Sequence, residues 1–478
     1  MKNYLLTFLM LAGVCVTGCN TQNEPELNQE TALEVDNTEA LSVNNRVIYE
    51  LNLYNFTSEG TLAAAEGRLE ILRKLGVDIV WLMPIQPRSQ QGKIGSLGSP
   101  YALHDYTSVN PDHGSLADFQ SFVRKAHGLG MEVWLDWVPN HTGLDHVWVS
   151  EHPDYYARSG GSIIHPNNYS DVYQLDYSNP SMCAAMQAAM IYWVENCGVD
   201  GFRCDYVSSP MLPAEFWSAT IPMLQTAAGR KIWMLGEADF ADKPALYEVG
   251  FDYDYAWGFH DKVKDGVGKG AAATKLQTLC AAFMSNSKYA QMDRMVYLTN
   301  HDDIGDNFSQ NYFGYHGENV APLTVLEFTL YGMPLLYNGQ EIGCRKVQNY
   351  FNRDVINWNS TNVQLQNTIR TLVALRHTQA ALCGGVQAER PKTTFLTCSD
   401  KACMAYEKVK GDNTVLVVLN LASDSVSCEI KGIAEGIYTQ WLDSRTIAQK
   451  IVKKDVELSE TMPFSLPKKG YAVYVKRP

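Results

Sequence analysis

Short apolar runs alternate with amphipathic stretches along most of the chain, from Arg46 to about residue 380. The segment "SLADFQSFVRKAHGLG" repeats apolar residues at helical spacing and ends in glycine, a helix stop signal. Its repeating residues are Leu116, Phe119, Phe122, Val123 and Ala126. The apolar runs are "RVIYELNL", "VDIVWLMPI", "MEVWLDWVPNH", "VDGFRCDYV", "IWMLGEAD", "FDYDYAW", "RMVYLTNHDD" and "MPLLYNGQE". This repeated strand–helix alternation predicts an α/β fold, a parallel (β/α)8 barrel.

The pattern changes near residue 380. Apolar and polar residues then alternate singly between turns rich in Gly, Asn and Asp, which predicts an antiparallel β-sandwich over 380–478. The barrel is therefore expected to span 45–379. Within its third unit, residues 142–173 are rich in His, Pro, Ser, Tyr and Gly, and are too long for an ordinary loop. We expect a short excursion there.

The first residues have the composition of an export signal. An early Lys2 precedes an apolar run, and small residues come before Cys19. "VTGC" resembles a bacterial lipoprotein signal, with a signal peptide over 1–18 and lipidation of Cys19. A plain secretory signal with an incidental cysteine is the alternative. The polar residues 19–44 suit a flexible tether.

The lipoprotein resemblance implies an exported protein held on a bacterial membrane by a lipid anchor, without a spanning helix. The lack of Asp directly after Cys19 favours the outer membrane, on its periplasmic or cell-surface side. The net charge is −13 and no basic stripe is visible, which argues against a nucleic-acid partner. This charge fits a neutral substrate without specifying one.

Polar and charged side chains stand at the carboxyl ends of several predicted strands, where barrel enzymes carry their chemistry. These residues are Asp136, Asn140 and His141 after the third strand, Arg203 and Asp205 on the fourth, Glu237 on the fifth, and His301 and Asp302 on the seventh. A single such residue is commonly a helix cap or a turn residue. Three separated carboxylates at one mouth are hard to explain by capping. Two carboxyl groups flanking a bond indicate glycoside hydrolysis.

Arg203 and Asp205 lie two residues apart, so they share one face of a strand, where a buried pair costs desolvation free energy. One interpretation is a structural ion pair. The other is a nucleophile that Arg203 keeps ionised, beside a Glu237 that apolar neighbours keep protonated as a proton donor. Asp302 would then stabilise the positive charge that develops on a sugar ring.

The segments "DWVPNH", "GFRCDYV", "LGEAD" and "YLTNHDD", in this order along the barrel units, resemble the signature regions of the α-amylase family of glycoside hydrolases. "GVDIVWLMPI", "QLDYSNP" and "MPLLYNGQEIG" resemble further segments of that family. The resemblance extends from Arg46 to the C-terminus, and it includes the excursion and the terminal sandwich.

The resemblance assigns roles to individual positions. It implies that Asp205 is the nucleophile, Glu237 the general acid/base and Asp302 the third carboxylate, which grips sugar hydroxyls in the transition state. The implied substrate-binding residues are Arg203 beside the nucleophile, His141 and His301 on hydroxyls of the sugar in subsite −1, and Tyr101 as the aromatic platform under that sugar. Retention of configuration follows, which requires about 5–5.5 Å between the two main carboxyl groups.

No cofactor is expected to be required, and calcium is left open. Asn140 matches a calcium ligand of the family, but its usual partner ligands are not evident in the sequence. Many α-amylases place Lys-His shortly after the nucleophile and bind calcium through a backbone carbonyl there, whereas this chain has Ser208 and Ser209. The alternative is a hydrogen-bonded Asn140 that fixes its loop.

The function implied is retaining hydrolysis of α-glucosidic bonds in starch-like glucans or maltooligosaccharides. A transglycosylase or an exo-α-glucosidase with the same site is the nearest alternative. A non-catalytic glycan-binding lipoprotein is another, since a fold alone does not establish function. The presence of all three carboxylates favours an enzyme. The sequence leaves open α-1,4 against α-1,6 preference and endo against exo cleavage.

Overall fold

A computed structural model describes residues 39–266, 273–303, 310–447 and 453–478. The predicted signal peptide, Cys19 and most of the predicted tether lie outside these residues. Eight parallel strands close into a barrel in sequential order, so the predicted α/β barrel is confirmed. The strands, β1 to β8, are Ile48–Leu51, Ile79–Leu82, Glu132–Trp137, Gly201–Cys204, Trp233–Gly236, Tyr253–Tyr255, Asp293–Val296 and Met333–Tyr337.

The barrel strands read as continuous apolar runs because both of their faces are buried. Closure comes from pairing of β1 with β8, where Ile48 lies opposite Leu335. The interior is filled by large side chains, among them Trp81, Trp134 and Tyr255. The inside of the barrel is therefore a packed core, and the space for a ligand lies above it, at the mouth.

Helices surround the barrel and bury their apolar side against it. In the predicted helix, observed at Leu116–Gly128, Ser115 and Asp118 form a capping box, while Phe119 and Phe122 are buried. No helix of the described ranges is both long and apolar enough to cross a bilayer. The α-helices are Leu53–Phe56, Leu62–Glu66, Leu69–Leu75, Leu116–Gly128, Val147–Glu151, Pro180–Cys197, Ala214–Ala228, Ala245–Glu248, Trp257–Gly266, Ala273–Ser285, Tyr312–His316, Val320–Thr329 and Val363–Thr378.

The excursion after β3 is small and is tied together at its base. Strand His141–Gly143 pairs antiparallel with Val172–Gln174. Between them lie the helix Val147–Glu151 and a pair of two-residue strands, Arg158–Ser159 and Ser162–Ile163. The paired base fixes where both ends of the excursion leave the barrel.

The C-terminal residues form two antiparallel sheets packed face to face, the predicted sandwich. The six-stranded sheet has the order Lys392–Phe395, Cys403–Lys410, Asn413–Asn420, Tyr471–Lys476, Gly436–Asp443 and Lys454–Leu458. The three-stranded sheet has the order Thr397–Cys398, Val426–Lys431 and Thr461–Leu466. Leu416, Ile430 and Phe464 belong to the core between the sheets.

Candidate active site

The carboxyl ends of the barrel strands open into a cavity of about 320 Å³. Five of the seven predicted catalytic and substrate-binding residues line it: Tyr101, His141, Asp205, Glu237 and Asp302. Parallel strands all end on one rim, so residues far apart in sequence meet there. The other described wall residues are Ile94, Ser99, Asn167, Tyr169, Asp171, Val172, Tyr206, Tyr350 and Phe351.

Arg203, a sixth predicted residue, is fully buried and is shared by three carboxyl groups. Its Nη1 lies 3.0 Å from Asp136 Oδ1 and 3.3 Å from Asp205 Oδ1, while its Nη2 lies 3.1 Å from Glu237 Oε2. Its Nε donates to the hydroxyl of Tyr255 at 2.9 Å. One guanidinium thus holds the predicted nucleophile and the predicted acid/base together.

The charge balance at this centre differs from the expectation that Arg203 keeps Asp205 ionised. Burial raises the pKa of Asp205 well above its usual range and the charge of Glu237 adds to the rise, while Arg203 opposes it. Arg203 is also engaged by Asp136, whose pKa burial raises to about 6. With one guanidinium among three carboxyl groups, Asp205 binds its proton more tightly than an exposed aspartate does.

The residue after the predicted nucleophile has a strained backbone. Tyr206 has φ of 44°, in the left-handed region that side-chain-bearing residues rarely adopt. This turn directs the Tyr206 N–H to Glu237 Oε2, at 2.7 Å. The strain is therefore coupled to the placement of the acid/base, as is common for outliers at functional sites.

The seventh predicted residue, His301, lies in a chain of polar contacts with Tyr101. Its Nε2 is 2.6 Å from the Tyr101 hydroxyl, and the two rings stack with centroids 5.3 Å apart. The Tyr101 hydroxyl in turn donates to Asp136 Oδ2 at 3.1 Å. On the other side, His301 Nδ1 is 2.5 Å from Glu50 Oε1. The predicted platform tyrosine is thus held by Asp136 on β3 and by His301 after β7, and Glu50 on β1 holds His301 in turn.

His301 is positively charged at neutral pH. Burial alone would lower the pKa of its imidazole, but the charges of Asp302 and Glu50 raise that pKa to about 9. Asp302 Oδ2 lies 3.3 Å from His301 Nε2, and Oδ1 accepts from the Tyr350 hydroxyl at 3.4 Å. The Asp302 side chain is 38% exposed and borders the cavity, so it is free to contact a ligand.

His141 has the opposite charge state. Burial lowers the pKa of its ring to about 4, so the imidazole is neutral. Its ring also hydrogen-bonds the backbone of Tyr101. The two histidines at the mouth therefore present one neutral ring and one cation.

Two residues that contact site residues were not identified from the sequence. Glu50 is a carboxylate within the apolar run of β1, the same signal that marks Arg203 on β4. Tyr350 lies on a loop after β8, and no local pattern distinguishes it. The sequence could have identified the first residue but not the second.

The residues present do not fit a calcium ion at Asn140. Asn140 Oδ1 accepts from Gln174 Nε2 at 3.1 Å, and the same nitrogen lies 2.8 Å from the Asn140 carbonyl and 3.2 Å from that of Leu175. The carbonyl of Ser209 accepts from Lys243 Nζ at 2.9 Å. In the described residues no group of three or more His, Cys, Asp or Glu side chains is placed to hold a metal. The arrangement favours the hydrogen-bonded asparagine.

A family model described as "Alpha amylase, catalytic domain" matches residues 35–174 and 166–378. The chain belongs to the alpha-amylase family. The matched residues cover the barrel and its excursion, in agreement with the family that the sequence motifs resemble.

Individual relatives agree with the family. Alpha-amylase MalA of Haloarcula japonica is 26% identical over 404 residues, covering 82% of this chain and 57% of that protein. The alpha-1,4-glucan:maltose-1-phosphate maltosyltransferase of Myxococcus xanthus is 33% identical over 224 residues, covering 42% of this chain and 33% of that protein. The chain therefore spans little more than half of the first relative and a third of the second.

A solved structure extends the match to the whole fold. The crystal structure of the noncanonic maltogenic alpha-amylase AmyB from Thermotoga neapolitana has a TM-score of 0.77 and 26% identity. The match covers 91% of this chain and 100% of that chain, so the barrel and the terminal sheets are both included.

Proposed function

We propose that this protein is a retaining glycoside hydrolase that cleaves α-glucosidic bonds in neutral, starch-like glucans or maltooligosaccharides. The observation that carries the proposal is the single buried Arg203 in contact with both Asp205 and Glu237 at the wall of one cavity. Two carboxyl groups held at one bond are what the double-displacement mechanism requires.

In the first step Asp205 attacks the anomeric carbon while Glu237 gives its proton to the leaving oxygen. A glycosyl–Asp205 ester forms, and the remainder of the glucan leaves as an alcohol. In the second step Glu237 takes a proton from water, the hydroxide attacks the same carbon, and the ester bond breaks. Asp302 faces the positive charge that develops on the ring in both steps.

The charge of the cavity supports a neutral substrate. No lysine or arginine is among the described residues that line it. The maltosyltransferase relative is named for a phosphorylated donor. A phosphate in this cavity would meet the carboxyl groups of Asp205, Glu237 and Asp302, because the cations Arg203 and His301 are buried behind the lining. A transglycosylase acting between neutral glucans uses the same groups and remains the second candidate. Longer products would identify it.

The test follows the products from maltoheptaose over time for the wild type, Asp205→Asn and Asp261→Asn. Asp261 is half exposed on an outer helix and lies outside the site, so its variant is the matched control. We expect short sugars from the wild type and the control, and none from Asp205→Asn. Absence of cleavage by the wild type on α-1,4 and α-1,6 glucans would reject the hydrolase and favour a glycan-binding role.

We also propose that Cys19 is lipidated after export and that residues 19–44 tether the enzyme to the bacterial outer membrane. The support is compositional: an apolar run, then "VTGC", then a polar stretch. Full-length protein is expected in the membrane fraction and Cys19→Ala in the soluble or precursor fraction. Cys15→Ala, in the same segment, is the control. Equal distribution of wild type and Cys19→Ala would reject lipidation.

A further inference from the structure

The loop that follows Asp205 is held by one lysine from another strand–helix unit. Lys243 Nζ donates to the backbone carbonyls of Val207 at 2.9 Å, Ser209 at 2.9 Å and Leu212 at 3.3 Å. An ammonium group has three donors, and each finds an acceptor in this one loop. Lys243 lies six residues after Glu237, so the contacts join the loop of the nucleophile to that of the acid/base.

This lysine is not held by an ion pair. No carboxylate of the described residues lies within ion-pair distance of Nζ, and partial burial lowers the pKa of the ammonium. Three carbonyl oxygens converge on one positive charge, as they do around a bound cation. One of them belongs to Ser209, in the segment where many α-amylases bind calcium through a backbone carbonyl. In this chain the Ser209 carbonyl accepts a hydrogen bond from the Lys243 ammonium.

The clamped loop is coupled to both catalytic carboxyl groups. It begins with Tyr206, whose strained backbone directs an N–H to Glu237. The next residue, Val207, packs against the backbone of Gly236, so closely that a β-carbon at Gly236 would lie 3.0 Å from Val207 Cγ2. Movement of the loop would therefore displace the Tyr206 N–H that donates to Glu237. It would also disturb Gly236, the last residue of the strand before Glu237. Small displacements of this kind are costly in rate.

We propose that Lys243 is a positioning residue, a built-in cation that fixes the loop after Asp205 against Glu237 and makes calcium at this loop unnecessary. The expected effect of Lys243 on turnover rests on the function proposed above. The proposal goes further in assigning a role to a residue that is not among the described residues lining the cavity. It also predicts that a metal chelator leaves the wild-type activity and thermal midpoint unchanged.

The first experiment compares Lys243→Ala with Lys231→Ala on maltoheptaose. Lys231 is a matched control because it lies before β5, whereas Lys243 lies after that strand. Its substitution removes an ion pair with Asp252, away from the mouth. We expect kcat of Lys243→Ala to fall by about 10- to 100-fold with KM within about twofold, since orientation and not binding is lost. Lys231→Ala should keep its kcat. Equal kcat in the two variants would overturn the proposal.

The second experiment restores the missing charge. Propylammonium replaces the atoms that Lys243→Ala deletes, and 1-propanol is its uncharged analogue. We expect propylammonium or Ca²⁺, and not propanol, to recover at least a tenth of the lost kcat and to raise the thermal midpoint of the variant. A purely structural loss would give no charge-dependent rescue, and that result would overturn the role of the cation.

A third measurement separates this proposal from the proposed function. Amide hydrogen exchange of residues 206–212 should be faster in Lys243→Ala than in the wild type, and should slow again with propylammonium. This readout needs no activity. If the wild type cleaves glucans and exchange is unchanged in Lys243→Ala, the Lys243 proposal alone is overturned. If exchange is faster in Lys243→Ala but the wild type cleaves nothing, the proposed function is overturned, together with the effect of Lys243 on catalysis.

Discussion

Two fully buried arginines in the same barrel are neutralised in different ways. Arg294 on β7 makes a bidentate pair with Asp254: its Nε is 2.7 Å from Asp254 Oδ1 and its Nη2 is 2.8 Å from Oδ2. A second carboxylate, Asp239, lies 3.3 Å from the same Nη2. Arg203 on β4 contacts three carboxyl groups, none of them bidentate, and two of these border the cavity. Arg294 is thus committed mainly to one carboxylate, whereas Arg203 is shared among three.

The difference shows where the fold accepts an electrostatic cost. Burial raises the pKa of Asp254 to about 7 even with a bidentate arginine, so a paired carboxylate is already expensive inside the barrel. Around Arg203 we expect a greater cost, because three carboxyl groups share one guanidinium and none has a bidentate bond to it. A cluster of carboxyl groups that borders a cavity is typical of sites where a positive charge develops during reaction. The two clusters can therefore be told apart by experiment.

The largest expected effect comes from removing each cation. Arg203→Met and Arg294→Met should each lower the free energy of unfolding by about 3–5 kcal/mol, because each leaves buried carboxylate charge unpaired. Only Arg203→Met should also abolish turnover per folded molecule. Urea unfolding and kcat corrected for the folded fraction measure the two effects.

An exposed arginine provides the control for this pair. Arg230, whose side chain is 40% exposed, pairs with Asp200, and Arg230→Met should cost less than about 1 kcal/mol. If Arg294→Met lost as much turnover per folded molecule as Arg203→Met, the two clusters would not differ in function and the comparison would fail.

A smaller effect is expected from Glu50→Gln, which removes one of the two charges that raise the pKa of His301. The imidazolium should then lose its proton nearer neutrality, so kcat/KM at pH 8 should fall about tenfold and the fall should be smaller at pH 6. A profile of kcat/KM from pH 5 to 9 measures this. Glu341→Gln, a buried carboxylate bonded to Tyr49, is the control, and matching profiles for both variants would contradict the prediction.

Glu50→Gln also tests how protonation of His301 changes the free energy of unfolding with pH. A histidine with a raised pKa in the folded protein stabilises it below the pKa of the unfolded chain, about 6.5, and loses that contribution as the pH rises through about 9. The free energy of unfolding of the wild type should therefore fall between pH 6.5 and 9. In Glu50→Gln this slope should be shallower.

The smallest expected effect concerns Asp136. Burial raises the pKa of Asp136 to about 6, against Arg203, so the native state binds this proton more tightly than the unfolded state does. The contribution of Asp136 to stability is present below about pH 4 and is lost as the pH rises through 6. In Asp136→Asn the unfolding free energy should vary less across this interval. Parallel curves for wild type and variant would contradict the assignment.

The sequence predicted the barrel because strands buried on both faces must be continuously apolar, and because polar residues at their carboxyl ends stand out against that background. Seven of the eight predicted runs contain a barrel strand, and the seventh in order begins one residue after its strand does. The seven predicted site residues line or adjoin one cavity for the same reason. Tyr350 and Lys243 could not be predicted, since loops carry them and only the tertiary fold brings them to the mouth. The raised pKa of Asp205 could not be predicted either, because it depends on burial and on the charge of Glu237, which only the tertiary fold brings close.

The order of strands in the C-terminal sandwich bears on how copies of this protein behave when crowded together. The barrel is closed, and the paired strands of the excursion are only two or three residues long, so the longer edge strands of the described chain lie in the sandwich. There, within the described chain, each edge is blunted: exposed lysines begin Lys392–Phe395 and Lys454–Leu458, Thr397–Cys398 is only two residues long, and Pro463 interrupts Thr461–Leu466. Charge, brevity and proline are recognised barriers to edge-to-edge pairing. Neighbouring molecules at high local concentration therefore lack a template for joining their sheets.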